Sequence, residues 1–167
     1  MKLPSDHLPK GLLKNIIGDA TIPQGSRLRY ILQIVNNEGK YGAGFSGALS
    51  KRYPKVESLY RQWWRERYGK LQLGDIQTIQ VASDIIVINM VAQNGIVGPN
   101  NLKPIRLDAL QKCLAKAGIE ISEAKASVHA PKFGGGLAGA DFDTEIMPLI
   151  DQELLKRGIN VTIYSLE

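Results

Sequence analysis

Apolar residues fall along the chain in short blocks whose spacing alternates between that of strands and that of helices. Continuous or alternating apolar runs predict six strands, at about 12–17, 30–35, 76–81, 84–91, 126–130 and 160–166. Apolar residues at helical spacing predict four helices, at about 45–52, 56–68, 105–117 and 145–157. This alternation predicts an α/β fold in which helices cover both faces of a single sheet.

Glycine and proline mark where several of these elements begin and end. Pro54 separates the first two helices, and Gly118 and Gly158 are expected to end the third and fourth. Pro148 fits the last helix only if it lies in the first turn. Ala82-Ser83 predicts a tight hairpin between the third and fourth strands.

The composition is that of a globular protein with one domain. Hydrophobic residues make up 44% of the 167 residues, which is enough for a sizeable core. We expect a single domain over 1–167, with its core at about 11–167 and an irregular segment at 1–10. The one cysteine, Cys113, cannot form an internal disulfide, and we expect a reducing, cytoplasmic location. No apolar run is long enough to cross a membrane, and two scattered histidines predict no metal site.

The formal net charge of +5 suits an acidic or phosphorylated ligand. Basic residues are densest along the first two helices, at Lys51, Arg52, Lys55, Arg61, Arg65, Arg67 and Lys70. A solvated helical face accounts for this cluster most simply, and an RNA-binding stripe is the alternative. We therefore expect nucleic acid to be a less favoured partner than a small phosphorylated ligand.

Two segments repeat one design, in which a hydrophobic strand enters a loop of small residues and a helix follows. The first segment spans 35–48 and the second spans 128–142. Glycine lets a ligand approach the main chain closely, so that successive N–H groups can point at one anion next to a helix N-terminus. Neither segment contains the Gly-Lys-Ser/Thr of a P-loop. The pair predicts two loops that grip the two phosphates of a diphosphate.

At these residues the sequence resembles the macro domain family, over about 12–166. The resemblance rests on the order and spacing of Gly18-Asp19-Ala20-Thr21, Val35-Asn36-Asn37, Gly42-Ala43-Gly44, Asn89-Met90-Val91-Ala92-Gln93, the segment 129–139 and the tail 161–166. The segments 89–93 and 129–139 are similar to the branch that processes ADP-ribose-1''-phosphate. This resemblance implies a three-layer α/β/α fold around a central six-stranded mixed sheet. It also implies a monomer without a cofactor that binds ADP-ribose, a derivative of it, or ADP-ribosylated macromolecules.

The resemblance also implies a role for individual residues. Asp19 would accept the adenine amino group beside the Ala20 N–H, and Asn37 or Asn36 would face the distal ribose. The remaining ligand-binding residues would form the two phosphate loops and the adenine border: Gly42, Ala43, Gly44, Phe45, Ser46, Gln93, Gly134, Gly135, Gly136, Leu137, Ala138, Tyr164 and Leu166. Tyr164 and Leu166 could equally belong to an edge strand that packs its own core.

The catalytic patterns of the family are matched incompletely. Ser46 stands where one hydrolase class has an aspartate, and Gln93 and Ala138 stand where the terminal glycohydrolase type has a lysine and an aspartate. None of the three replacements can perform that chemistry. Similarity to the fungal phosphatase at 51–55 and 83–86 makes Asp84 a candidate carboxylate, although the histidine of that enzyme matches a position near Gln33.

Three further polar residues are candidates for catalysis. His129 could act as a general acid or base, Asp141 could orient a water, and Asn37 could act at the distal ribose. Each has a structural alternative: a histidine satisfied by its neighbours, a helix cap and a polar turn residue. The sequence thus favours an enzyme acting on ADP-ribose-1''-phosphate or an ADP-ribosyl ester. A non-catalytic ADP-ribose reader is the alternative, and an RNA-binding protein is the third hypothesis. The single-domain length favours the enzyme over the reader.

Overall fold

A computed structural model of the protein describes residues 9–167, with the backbone alone at Leu137. Most of the segment predicted to be irregular, 1–8, lies outside the described residues. The strands are β1 (Leu13–Ile17), β2 (Arg29–Asn36), β3 (Ile76–Ala82), β4 (Ile85–Gln93), β5 (Ser127–Pro131) and β6 (Val161–Ser165). The helices are α1 (Gly44–Arg52), α2 (Pro54–Glu66), α3 (Leu107–Ala124) and α4 (Met147–Glu153).

The six strands form one mixed sheet in the order β1-β6-β5-β2-β4-β3. Every neighbouring pair is parallel except β3 and β4, which form an antiparallel hairpin at one edge. The predicted mixed six-stranded sheet is therefore confirmed. The hairpin turn lies at Ser83-Asp84, one residue later than the sequence predicted.

The three layers follow because successive side chains of the central strands point to opposite faces of the sheet. Tyr30 and Leu32 on β2 pack in the core cluster formed with α3 and α4. Ile31, between them, packs against Leu49 of α1 and Val56 of α2 on the other face. Because both faces are covered, these strands are apolar on both sides rather than alternating.

The end of the third helix was predicted wrongly. Gly118 does not end α3, which continues to Ala124 and ends at Lys125 in the left-handed conformation, with φ 55°. Gly118 is buried inside the helix, where an added Cβ would lie 2.5 Å from the carbonyl oxygen of Glu153. The glycine allows α3 and the end of α4 to approach closely, and a sequence pattern does not distinguish that role from a helix cap.

The last predicted helix, 145–157, is divided into three pieces. A π-turn at Phe142–Ile146 leads into α4, and a 3₁₀ turn at Leu155–Arg157 follows it. Pro148 lies in the first turn of α4, and Gly158 ends the segment with φ 83°, both as predicted. The second predicted helix also ends early, at Glu66, and leaves Tyr68 outside it.

Five of the six strands run in the same direction, which places their carboxyl ends on one edge of the sheet. The segments that leave this edge begin at Gly18, Asn37, Asn94, Lys132 and Leu166. Ligands of α/β proteins usually bind outside this edge. Each segment that the sequence predicts to bind a ligand lies at or next to this edge.

Candidate ligand-binding site

A cavity of about 600 Å³ opens between the two glycine loops at the carboxyl edge of the sheet. The lining comes from the ends of β2, β4 and β5 and the loops that follow them. Its residues are Gln33, Ile34, Val35, Asn36, Lys40, Tyr41, Ala43, Gly44, Phe45, Ser46, Gln93, Ile96, Val97, Pro131, Lys132, Phe133, Gly134, Gly135, Gly136 and Ala138. The structure thus brings both predicted loops to one cavity. Asp19, Ala20, Asn37, Gly42, Tyr164 and Leu166 are not part of this lining, and the side chain of Leu137 lies outside what the structure describes.

The first loop runs from the end of β2 into the N-terminus of α1. Gly42 and Gly44 have φ values of 118° and 56°, a backbone conformation that favours glycine. An added Cβ at either glycine would meet no atom within 4 Å. Ala43 is the N-cap residue of α1 and supplies no side-chain cap. The N-terminal N–H groups of α1 therefore remain available to an anion in the cavity.

The second loop runs from β5 to a short 3₁₀ turn at Gly136–Ala138. Gly134 and Gly136 have φ values of 81° and 54°. The loop is closed by internal bonds from the Ala138 N–H to the Gly135 carbonyl and from the Ala140 N–H to the Gly134 carbonyl. The helix does not begin directly after the loop as predicted, because an extended residue at Asp141 precedes the π-turn.

Backbone N–H groups in both loops lack a partner among the described residues. These donors are at Ala43, Gly44, Gly134, Gly135 and Gly136. Unpaired N–H groups form anion sites both at a helix N-terminus, as in the first loop, and in glycine-rich turns, as in the second, so both loops present donors to one cavity. A ligand with two linked phosphates matches this arrangement better than a ligand with a single anion.

The charged side chains of the cavity are basic. Lys40 and Lys132 are half-exposed at the lining, with Lys40 3.3 Å from Glu38 and Lys132 3.9 Å from Asp143. No aspartate, glutamate or histidine belongs to the described lining. The cavity therefore supplies hydrogen-bond donors and positive charge, while its own side chains offer no carboxylate or imidazole for general acid–base catalysis.

The two asparagines predicted to face the distal ribose are engaged within the protein. The Asn36 amide donates to the Lys40 carbonyl, and its oxygen accepts from the Glu38 and Lys40 N–H groups. Asn37 donates to Asn94 Oδ1 at 3.0 Å and accepts from the Gly95 N–H at 2.9 Å. Both residues therefore shape the loops at the carboxyl edge, and a contact with ribose stays a prediction.

A buried polar network lies beneath the first loop, and sequence reasoning missed it apart from naming Gln33 and Ser46. Ser46 Oγ donates to Gln33 Oε1 at 2.9 Å, and Gln33 Nε2 donates to Asn89 Oδ1 at 2.7 Å and to the Tyr41 hydroxyl at 3.1 Å. Asn89 continues the network to Gln77 on β3. Gln33 is only 2% exposed, so these bonds fix the start of α1 relative to the sheet.

Asp19 lies two residues after the end of β1 and is half-buried. Its Oδ1 accepts from the Thr21 N–H at 2.9 Å and from the Thr21 hydroxyl at 2.7 Å, while Oδ2 has no partner within residues 9–167. One carboxylate oxygen is therefore free to accept a ligand amino group. Ala20 is buried beside it, and Leu166 is exposed after β6.

His129 and Tyr164 form a buried pair that connects β5 and β6 to the segment after β1. The Tyr164 hydroxyl accepts from the Gln24 N–H at 2.9 Å and lies 2.7 Å from His129 Nδ1. Nδ1 is bonded to the Tyr164 hydroxyl and Nε2 to Ser127 Oγ, so both ring nitrogens of His129 are engaged within the protein. Burial, with a smaller effect of Arg29, lowers the pKa of His129 to about 4. These contacts match the structural alternative for His129.

The two candidate carboxylates also lie outside the described lining of the cavity. Asp84 forms an ion pair with the buried guanidinium of Arg29 in the turn between β3 and β4. Asp141 Oδ1 accepts from the Thr144 N–H at 3.1 Å, and the hydrogen bonds from Thr144 lower its pKa. Asp141 thus caps the π-turn, as its structural alternative stated.

Neither a membrane-spanning helix nor a metal-binding cluster is present among the described residues. In the described part of the chain, no helix has the length and apolar character needed to cross a bilayer. Among residues 9–167, no group of three or more histidine, cysteine, aspartate or glutamate side chains could hold a metal ion.

Comparisons with known proteins identify similar folds and sequences. No family model matches the chain. Mouse chromodomain-helicase-DNA-binding protein 1-like is 29% identical over 177 residues, which include 98% of this chain. The chain spans about a fifth of the length of that relative, or 19%.

Two solved structures match this chain along almost their whole length, and a third matches over part of its length. A Bacteroides thetaiotaomicron protein of unknown function has a TM-score of 0.87 and 39% identity, with 92% of this chain and 98% of that chain covered. A macrodomain protein from Streptomyces coelicolor has a TM-score of 0.80 and 36% identity, at the same coverage of 92% and 98%. Thermosipho africanus DarTG, solved with ADP-ribose, has a TM-score of 0.70 over 92% of this chain and 41% of its own. At 18% identity, that last match shows the fold alone.

Proposed function

This chain belongs to the macrodomain family, and on that premise we propose that it binds ADP-ribose with the diphosphate held between its two glycine loops. The observation that carries the proposal is a set of unpaired N–H groups in the loops after β2 and β5, which line one cavity. These groups belong to Ala43, Gly44, Gly134, Gly135 and Gly136. A pyrophosphate offers enough oxygens to accept from both loops.

The charge and volume of the cavity support the same ligand. Lys40 and Lys132 are half-exposed at the lining beside Glu38 and Asp143, and each ammonium group can turn to donate to a phosphate oxygen. A volume of about 600 Å³ lies within the range of small-molecule sites. Apolar side chains, among them Phe45, Ile96 and Phe133, supply the walls that such sites usually have.

The adenine would lie toward the end of β1, where Asp19 Oδ2 has no partner among the described residues. The bonds from Thr21 to Oδ1 hold the carboxylate in one orientation. The hydroxyl of Tyr164 holds the same segment through the Gln24 N–H. We propose that Asp19 accepts the adenine amino group and that Tyr164 positions this segment without contacting the base through its hydroxyl.

Calorimetric titration with ADP-ribose tests this assignment. We expect micromolar affinity, roughly −8 kcal/mol. Asp19→Ala should lose about 1.5–3 kcal/mol, as expected for a hydrogen bond to a charged group. Asp19→Asn is the matched variant, because it retains an oxygen for Thr21 and removes the charge. Absence of binding at millimolar ADP-ribose by the unmodified chain would reject the proposed function.

A second candidate is slow hydrolysis of an ADP-ribosyl ester by a water held at the distal ribose. The observation that favours it is Gln93, which lines the cavity and donates from Nε2 to the Gly95 carbonyl at 3.1 Å. Its Oε1 has no partner within the described chain and can accept from a water. Catalysis would then depend on positioning rather than on a carboxylate. Dephosphorylation of ADP-ribose-1''-phosphate stays a prediction without this support, because Asp84 is paired with Arg29.

Turnover and binding can be measured on one sample. Release of ADP-ribose from an ADP-ribosylated glutamate peptide, release of phosphate from ADP-ribose-1''-phosphate, and calorimetric binding distinguish the enzymes from the reader. Gln93→Met, of similar length, should abolish ester hydrolysis while ADP-ribose still binds. Binding without turnover of either substrate would assign the chain to the reader class.

A further inference from the structure

The net charge of the protein resides in one surface segment. Residues 51–70 contain seven of the 21 lysine and arginine residues and two of the 16 aspartate and glutamate residues, so the segment alone carries a formal charge of +5. The rest of the chain has 14 of each and is formally neutral. We call residues 51–70, which cover the end of α1, α2 and the turn after it, the basic face.

Most charges of the basic face are not used within the protein. Lys51, Lys55, Arg65, Arg67 and Lys70 are all exposed, and none forms an ion pair with a residue of 9–167. Paired surface charges are common on solvated helices, and an excess of one sign is not needed for stability, because like charges repel. The unpaired excess is therefore better explained by an anionic partner than by the fold.

The shape of the basic face fits a chain of phosphates. A groove of about 460 Å³ lies between α1 and α2, with Lys51, Arg61 and Arg65 in its walls and with Glu57, which pairs with Arg61, as its one carboxylate. Arg61 donates to the Gly39 carbonyl and to Glu57, so it is held in place at the end of the groove that is nearer to the first loop. The groove therefore leads along α2 toward the loop that borders the cavity.

An aromatic side chain lies at the same end of the basic face. Tyr68 is 96% exposed, follows α2 in the left-handed conformation with φ 55°, and is flanked in sequence by Arg67 and Lys70. Unpaired bases stack on exposed aromatic rings, while neighbouring cationic side chains contact the phosphate backbone. A membrane surface fits less well, because Tyr68 is the only large exposed hydrophobic residue of this segment and interfacial helices need an apolar face.

We propose that the basic face is a docking surface for single-stranded nucleic acid, with the phosphate backbone along α2 and a base stacked on Tyr68. The surface lies beside the first loop, since Arg61 contacts Gly39 and the Leu71 N–H donates to the Asn37 carbonyl. A strand bound there passes the mouth of the cavity. Resting on the proposed function, this arrangement suits a nucleic acid that itself carries the ADP-ribosyl group.

Fluorescence anisotropy with a labelled 20-nucleotide single strand of mixed sequence tests the docking surface on the full chain. We expect binding at about 50 mM salt that weakens steeply as salt rises. The variant Lys55→Gln/Arg65→Gln/Arg67→Gln should bind at least ten times more weakly, and its slope of log affinity against log salt should fall by about 2, as expected for three lost single-strand contacts. Tyr68→Asn, which tolerates positive φ, should weaken binding by about tenfold.

A matched variant separates a specific face from overall charge. Lys14→Gln/Lys112→Gln/Lys125→Gln removes the same charge from exposed positions elsewhere and should retain affinity within about threefold. Equal losses in both triple variants, an unaltered affinity for Tyr68→Asn, or tighter binding to phosphatidylserine vesicles than to the oligonucleotide would overturn the proposal. Calorimetric ADP-ribose affinity should be unchanged in the first triple variant, so failure of the docking surface and failure of the proposed function can be told apart.

Discussion

The two glycine loops resemble each other in sequence, yet their glycines are surrounded differently. In the first loop, a Cβ added at Gly42 or Gly44 would meet no atom within 4 Å. In the second, a Cβ at Gly134 would lie 2.4 Å from Ile146 Cδ1. Gly42, Gly44 and Gly136 keep space open where a ligand can lie. Gly39, where an added Cβ would lie 2.4 Å from Trp64 Cδ2, and Gly134 instead let their loops pack closely. Equal composition therefore conceals two physical roles, access and close packing.

The contacts that hold the two loops in place also differ. The first loop is held by polar groups: the Tyr60 hydroxyl accepts from the Gly39 N–H and donates to the Asn36 carbonyl. The second is held by apolar contacts, with Phe133 and Phe142 packed edge to face at 5.9 Å between ring centroids. We therefore expect the second loop to be the more sensitive to side-chain volume.

Within the second loop, the largest expected effect of a single substitution is at Gly134. Gly134→Ala places a methyl group against Ile146 and Ile105 and requires alanine to adopt φ 81°. Overpacking and backbone strain together should lower the free energy of unfolding by about 3 kcal/mol. Gly136→Ala is the matched control, because its φ is 54° and its surroundings are open, and it should cost about 1 kcal/mol. Equal costs in denaturant unfolding would remove the distinction between the glycines.

Acid should lower the stability of the protein through the strand that leads into the second loop, because the buried His129 lies on β5. Its pKa of about 4 in the folded protein is lower than the ordinary histidine value of 6.5, so the unfolded chain binds more protons between these values. The free energy of unfolding should therefore fall by about 2–3 kcal/mol as pH decreases from 7 to 4.5. The bonds under the first loop come from amides and hydroxyls that do not titrate there.

Denaturant unfolding at both pH values measures this loss. His129→Gln is less stable at pH 7, since a buried hydrogen-bonding group is altered, but its stability should change less with pH. If the variant and the unmodified chain lose the same free energy on acidification, another group is responsible.

The positions of the loops could be predicted from sequence, because a strand followed by small residues is a local pattern. Strand direction then determines that segments as distant as 36–44 and 132–139 meet at one edge. The roles of individual polar residues could not be predicted in this way. Asn36, Asn37 and His129 have side chains suited to a ligand, and the structure uses all three for internal hydrogen bonds.

The residues that sequence reasoning missed owe their importance to distant partners. Lys40 and Lys132 are 92 positions apart in numbering and become neighbours of one cavity only after β2 and β5 pair. Gln33 belongs to a buried network because Asn89 lies opposite it on β4. A hydrophobic strand that contains one glutamine was the available signal, and it predicts a buried polar partner without saying which residue supplies it.

A third test addresses access in the first loop. Gly44→Ala keeps an open environment and a φ of 56°, so the free energy of unfolding should fall by only about 1 kcal/mol. A methyl group at the cavity lining should nevertheless weaken ADP-ribose binding by about tenfold, or about 1.4 kcal/mol. Gly69→Ala, at φ 78° and outside the described lining, is the control that shares the strain. Calorimetry that finds equal affinity in both variants would contradict a ligand contact at Gly44.

The smallest expected effects concern the helix starts that follow the two loops. Asp141 caps the π-turn after the second loop, whereas Ala43 starts α1 without a side-chain cap although its φ of −95° and ψ of 146° suit a capping residue. Asp141→Ala should therefore cost about 1 kcal/mol of unfolding free energy and leave ADP-ribose affinity unchanged. Ala43→Ser should do the reverse. Its hydroxyl can satisfy an N–H of α1, which stabilises the free protein by about 0.5–1 kcal/mol and competes with the diphosphate for the same donor. A serine variant that is more stable and still binds ADP-ribose with full affinity would show that the helix N-terminus is not the phosphate site, and it would leave the second loop as the main anchor.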